Sequence, residues 1–273
     1  MKRIKISTTI LFLVLGSLCN KAIARQDSVT ISGKVTDFQG VPIDSCSVIW
    51  QSVSFNDIAE AITDRSGFYS IRIPKGKYQS MAAIYIPSYE HEAEKVDLPD
   101  SLRRLEFWAW NFIADRDTTV DIRYHRMEAY GMRVFSIPGA VPAYQIYVRP
   151  MSLTRFHQWM ETKKQKAQHG EDLSNGTLMP LQANAESQKL APPLSKLQIR
   201  VWVDGEEVNI LHRQEIDEYV NAREKMNAYL VTVGRPRHSS GLPYRVFRIE
   251  LKDLENGDTG EGLYYLEKEY YIR

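Results

Sequence analysis

One turn, written twice, constrains this chain more than any other feature. Thr36-Asp37-Phe38-Gln39-Gly40 is followed 27 residues later by Thr63-Asp64-Arg65-Ser66-Gly67. In each copy the aspartate is placed to accept a hydrogen bond from a backbone N–H two residues on, and the glycine supplies the positive φ that closes the reversal. Period-two strands flank both turns. Val29, Ile31, Gly33 and Val35 alternate with Thr30, Ser32, Lys34 and Thr36, and Tyr69, Ile71 and Ile73 alternate with Phe68, Ser70 and Arg72. Pro74 cannot donate to a ladder, so it ends a strand, and Gly76 turns the chain into the next. Cys46, Val48 and Trp50 share a parity, which makes Cys46 a small inward residue. With no long 3.6-residue period, these first hundred residues read as a small β-sandwich.

The run Gly33-Lys-Val-Thr-Asp37-Phe-Gln-Gly40-Val-Pro42, with Ala61-Ile-Thr-Asp64-Arg-Ser-Gly67-Phe-Tyr69 and Pro74-Lys-Gly76-Lys-Tyr78, resembles the carboxypeptidase-regulatory-like domain. The resemblance covers about residues 27–100 and departs from the family pattern at Ser45 and Cys46. It implies a seven-stranded, transthyretin-like sandwich of the kind found in secreted and envelope proteins of bacteria. It points to the accessory domain of that family and not to a catalytic one.

After a polar join near Ala114–Asp117 the chain again reads as strands: 119–126, 132–135, 143–148, 197–203, 207–211, 227–233, 244–251 and 263–267. Asp204-Gly205 is a hairpin signal. Residues 212–223 read as a short helix or a loop. The segment 161–195 has no aromatic residue and abounds in Lys, Gln, Asn and Glu, so it reads as a mobile insertion, opening with a short helix through Lys166. The expectation is all-β: a first sandwich over 25–115, then a second over 116–273, immunoglobulin-like in its strand count.

The N-terminus sets the compartment. Lys2, Arg3 and Lys5 precede an apolar run from Ile10 to Leu18, and Ala22-Ile23-Ala24 offers a small-x-small cleavage site, so residues 1–24 read as a signal peptide. Cleavage before Cys19, as in a lipoprotein, is disfavoured by the bulky Leu18. Removing those residues takes four cations and no acids, moving the formal charge from +1 to −3. No basic field remains for nucleic acid, and no later segment is apolar enough to span a bilayer. Cys46 is then the one cysteine left, which rules out an intrachain disulfide.

Candidate chemistry is sparse. Trp108, Trp110 and Phe112 share strand parity, and an exposed row of that kind would stack on sugar rings or on another protein. His125-x-x-Glu128 has metallopeptidase ligand spacing and His238 lies downstream as a third ligand, but i and i+3 face opposite sides of a strand. Asp253, Glu255, Asn256, Asp258 and Glu261 crowd one stretch that suits either weak calcium binding or an ordinary acidic turn. The pairs Tyr264-Tyr265 and Tyr270-Tyr271 each offer one inward and one outward ring. No cofactor motif appears. The expected function is a non-enzymatic extracytoplasmic binding or scaffold module, its partner an envelope protein or polysaccharide. A sugar-binding accessory protein and, below it, a metal-dependent hydrolase are the alternatives.

Overall fold

The computed structural model describes residues 27–89, 98–99, 102–137, 139, 141–168, 186–221 and 224–268. The expected signal peptide, Tyr270-Tyr271 and residues 169–185 of the expected insertion lie outside these. The architecture is mostly β. The first part contains β1 (Ser28–Thr36), β2 (Ser47–Gln51), β3 (Asp57–Ile62), β4 (Phe68–Pro74), β5 (Gly76–Lys77), β6 (Ser80–Ile84), β7 (Phe107–Trp110), β8 (Ile113–Ala114), β9 (Thr118–Thr119) and β10 (Ile122–Arg123). The second contains β11 (Met127–Phe135), β12 (Ala143–Ser152), helix α1 (Leu153–Gln168), β13 (Glu186–Ser187), β14 (Leu197–Val203), β15 (Glu206–Glu207), β16 (Ile210–Tyr219), β17 (Glu224–Gly234), β18 (Tyr244–Asp253) and β19 (Thr259–Glu267). Among the described residues no helix is long and apolar enough to cross a membrane.

Both aspartate turns form. Asp37 Oδ1 accepts from the N–H groups of Gln39 and Val41 at 2.9 and 2.8 Å, and Asp64 Oδ1 from those of Ser66 and Phe68 at 2.8 and 3.0 Å. Gly40 and Gly67 take φ of 82° and 74°. At Gly67 an added Cβ would also lie 2.4 Å from the Val35 carbonyl oxygen, so the turn is pressed against β1. The register this sets, Ser28 opposite Pro74 through Lys34 opposite Phe68, turns Val29, Ile31, Tyr69 and Ile73 inward together.

The two parts share a sheet. Eight strands run in the order β15-β14-β18-β19-β7-β6-β2-β3, and the bond between the parts is the parallel pairing of β19 with β7. Because side chains alternate along a strand, this sheet feeds a different core from each face. Phe107, Ala109, Leu263 and Tyr265 face the first core, which a smaller sheet of β1, β4, β9 and β10 closes. Trp110 and Tyr264 face the second, closed by β11, β12, β16, β17 and β13. Past the join expected near residue 115 the chain stays with the smaller sheet of the first core, since β9 and β10 both pair in parallel with β1.

Two segments differ from the sequence reading. Residues 212–219 are neither helix nor loop but most of β16, an exposed charged edge strand. Its ladder to β17 supplies the order that its own residues do not favour. The C-terminal end of the expected mobile insertion is packed: Leu190 is buried, Ala191 is part of the second core and Leu194 packs against it. The Ser152 N–H donates to the Leu190 carbonyl at 3.1 Å, and the Tyr229 hydroxyl to that of Pro192. Few but well-placed apolar residues hold a segment whose average composition is polar.

Close approach fixes where β11 crosses the shared sheet. A Cβ on Gly260 would lie 1.8 Å from the Met127 carbonyl oxygen, and one on Gly262 would lie 2.9 Å from the Ala129 Cβ. A bulge at Gly131 (φ 61°) then resets the parity of β11, so that Met127 and Ala129 before it and Met132 and Val134 after it all face the same core. Gly260→Ala should therefore lower unfolding free energy by about 3 kcal/mol, the upper end of overpacking costs. Gly241→Ala, which meets nothing within 4 Å, should change it little. Urea titrations giving equal midpoints for the two variants would show that the strands do not approach this closely.

Candidate functional site

The expected aromatic row does not stay on one face. Asn111 adopts φ of 51°, which ends β7 and reverses the parity of the next residue. Phe112 is thereby buried in the first core, 5.0 Å from Tyr265 and 6.3 Å from Trp50 between ring centroids. Trp108 and Trp110 point the other way and stack on each other at 5.0 Å with 14° between planes. Tyr130 of β11 stands edge-on to both, the Arg133 guanidinium lies 5.1 Å over Trp110, and Phe55 closes its edge at 6.2 Å. Trp110 is 2% exposed. These rings fill the seam where β11 crosses β7, with Trp108 still partly exposed, and they do not form a single open row.

Beside that seam lie two carboxyls. Glu106 precedes β7 and Glu128 is in β11, with Glu128 only 4% exposed. Glu106 Oε2, Glu128 Oε1 and Arg149 Nε are shielded from solvent, and among the described residues none has a hydrogen-bond partner within 3.5 Å. Burial pushes Glu106 up to about 7, and its hydrogen bond from Tyr89 offsets this only in part. Burial first, then the neighbouring Glu106 charge, pushes Glu128 well above the carboxylate range, while Trp108 and Arg149 pull it back. Arg149 is itself bonded to Glu218 at 2.5 Å and lies 4.5 Å over the Tyr130 ring. Two carboxyls in one desolvated place resist ionising together.

The other expected sites resolve into contacts that hold the fold. His125 is half-buried and its pKa is lowered by burial, then by Arg104 and Arg126. His238 sits exposed on a distant loop against Glu206, and among the described residues no group of three His, Cys, Asp or Glu side chains is arranged to hold a metal. In the acidic stretch, Asp258 accepts from Arg126 Nε, the Ser152 and Thr154 hydroxyls and the Thr154 N–H. Asp253 pairs with Arg155 at 2.6 Å, and Glu261 with Arg123 at 2.8 Å. Ser152 caps α1 through the Arg155 N–H, so the stretch anchors the helix start. Cys46 is buried 3.5 Å from the Tyr124 hydroxyl, and burial holds its thiol protonated with a pKa of about 11.

A surface crevice of 710 Å³, which the sequence reading missed, opens at the far end of the shared sheet between the β14–β15 hairpin and residues 235–240. Glu206 draws that loop onto the hairpin by accepting the Arg237 and His238 N–H groups at 2.9 and 3.3 Å. Asp204 is engaged by Arg245 at 2.6 Å and by the Val246 N–H, and Glu207 by Arg200 at 2.8 and 2.9 Å. Arg235, Arg237 and His238 are exposed along its wall. Only the Asp204-Gly205 turn was legible in advance. The loop's part depends on folding against a hairpin some thirty residues earlier.

The carboxyl pair gives a sign-definite pH dependence. A glutamate whose folded pKa is raised stabilises the fold fully below its unfolded pKa of about 4.3, and that stability is lost as pH rises through the folded value. The difference in unfolding free energy between Glu128→Gln and wild type should therefore move in the variant's favour as pH rises from 4 to 8. A difference independent of pH would mean that these carboxyls ionise normally.

No protein-family profile matches the chain, and no curated protein matches it. Among solved structures it is similar to a DUF3823 family protein from Bacteroides ovatus, 10% identical over 88% of this chain and 97% of that one, with a TM-score of 0.25. A DUF3823 family protein from Parabacteroides merdae is 11% identical over 88% and 98%, with a TM-score of 0.23. BcpA, the major pilin subunit of Bacillus cereus, is 10% identical over 88% and 69%, with a TM-score of 0.25. Superpositions this loose establish neither a common fold nor a shared role.

Proposed function

We propose that this chain is an extracytoplasmic, non-catalytic binding module of a bacterial cell envelope, recognising its partner through an open polar surface at the end of a rigid β scaffold. The observation that carries this reading is the crevice between the β14–β15 hairpin and residues 235–240. Its walls are set by β18 pairing and by the Glu206 clasp, so its polar groups are positioned before any partner arrives. The signal-peptide character of the first 24 residues supports the compartment. The stacking of Trp108 on Trp110, with Tyr130 edge-on to both, weighs against an aromatic sugar platform.

A hydrolytic reading has one feature in its favour, the desolvated Glu106–Glu128 pair, because a carboxyl protonated near neutrality suits general acid catalysis. Its enclosure beside the tryptophan stack argues for a structural part instead. The two readings separate in one experiment. Residues 25–273 should co-sediment with insoluble envelope polysaccharide or envelope fragments and release no reducing ends. Release of reducing ends that disappears in Glu128→Gln would replace the binding module with a hydrolase.

A further inference from the structure

The crevice carries a charge arrangement that narrows what it takes. Its three acids, Asp204, Glu206 and Glu207, each hold part of the frame. Its cations are less engaged. Arg237 reaches only the edge of Glu206 at 4.0 Å with its side chain 89% exposed, and Arg235 rests 5.7 Å over the Tyr144 ring. Lys268 stands behind the loop, its ammonium 2.5 Å from the Ser240 carbonyl. The lining holds three acids and two arginines, and with Asp204 and Glu207 paired to Arg245 and Arg200, Arg235 and Arg237 are the cations whose guanidinium groups are not committed to a close carboxylate. The Ser240 hydroxyl oxygen is shielded from solvent yet has no partner among the described residues.

We infer that this crevice binds an anionic glycan, with Arg235 and Arg237 receiving its uronic carboxylates or sulfate esters and Asn209 and Ser239 its hydroxyls. The inference rests on the binding-module reading and names its ligand class. A guanidinium presents paired N–H donors in a planar fork that matches a carboxylate or sulfate oxygen pair. Two such forks one residue apart on a clasped loop suit an extended polyanion. A peptide would need an apolar anchor or a free strand edge. The apolar lining is limited to Val203 and Val208, both buried, and the edge strand here, β15, is two residues long. Hydroxyl-rich, charged and apolar-poor ligands fit these walls.

The test is titration of residues 25–273 with polygalacturonate, a sulfated galactan and a neutral galactan, using wild type, the double variant Arg235→Gln/Arg237→Gln and the control Lys75→Gln. Thermal midpoints of each protein establish that the variants fold. The expected result is binding to at least one anionic polymer, weakened by added salt, lowered tenfold or more in the double variant and unchanged in the control. Preference between polygalacturonate and the sulfated galactan assigns the anion as carboxylate or sulfate. Equal affinity for the neutral galactan, or wild-type affinity in a folded double variant, would overturn the inference. If no galactan or uronan binds while envelope fragments still co-sediment, the ligand class is wrong and the binding module stands. If nothing co-sediments, both fail together.

Discussion

Where Gly262 meets Trp108, Leu263 meets Ala109 and Tyr264 meets Trp110, two sheets become one. This short parallel ladder joins strands about 150 residues apart in the chain, so its closure entropy is offset only once both cores have begun to form around it. Each strand there serves two masters. Ala109 and Leu263 pack into one core while Trp110 and Tyr264 pack into the other, and the ladder is buried from both sides. The approach of β11 over Gly260 and Gly262 completes the enclosure. Ion pairs then lock the periphery of the same region: Arg123, partly exposed, with Glu250 and Glu261, and the buried Arg126 with Asp258. Such pairs contribute more to a unique arrangement than to raw stability.

The first sandwich was legible because its instructions are local. Asp64 and Gly67 define a turn within four residues, and Val29 through Val35 announce their inward face by alternation alone. The parallel joining of β19 to β7 was not legible, because nothing in either strand names a partner so distant in sequence. The same limit misled the reading of Phe112. Parity arithmetic holds along a continuous strand, and a single positive φ at Asn111 ended it. β16 escaped notice for a related reason, since its charged residues take strand form from the ladder to β17 and from no pattern of their own.

Function-like sequence features and the proposed binding surface lie in different places. The tryptophans and Glu128 of the H-x-x-E spacing are absorbed by the seam between the cores, and the acidic stretch by the start of α1. The crevice is built from residues with weak sequence signals, an Arg-Pro-Arg-His loop clasped by a hairpin glutamate. Its arginines are conspicuous only after the fold shows which acids are already engaged by other cations. Rigid sheets beneath exposed loops are the usual division between scaffold and recognition.

The central claim is that the β19–β7 ladder makes the two cores one cooperative body. Native-state hydrogen exchange tests it most directly. The amides of β1 in the first core, β17 in the second, and β7 and β19 between them should all exchange through one opening, with a common free energy equal to that of global unfolding. Separate opening free energies for β1 and β17, with the β7 and β19 amides exchanging more readily than either, would contradict it.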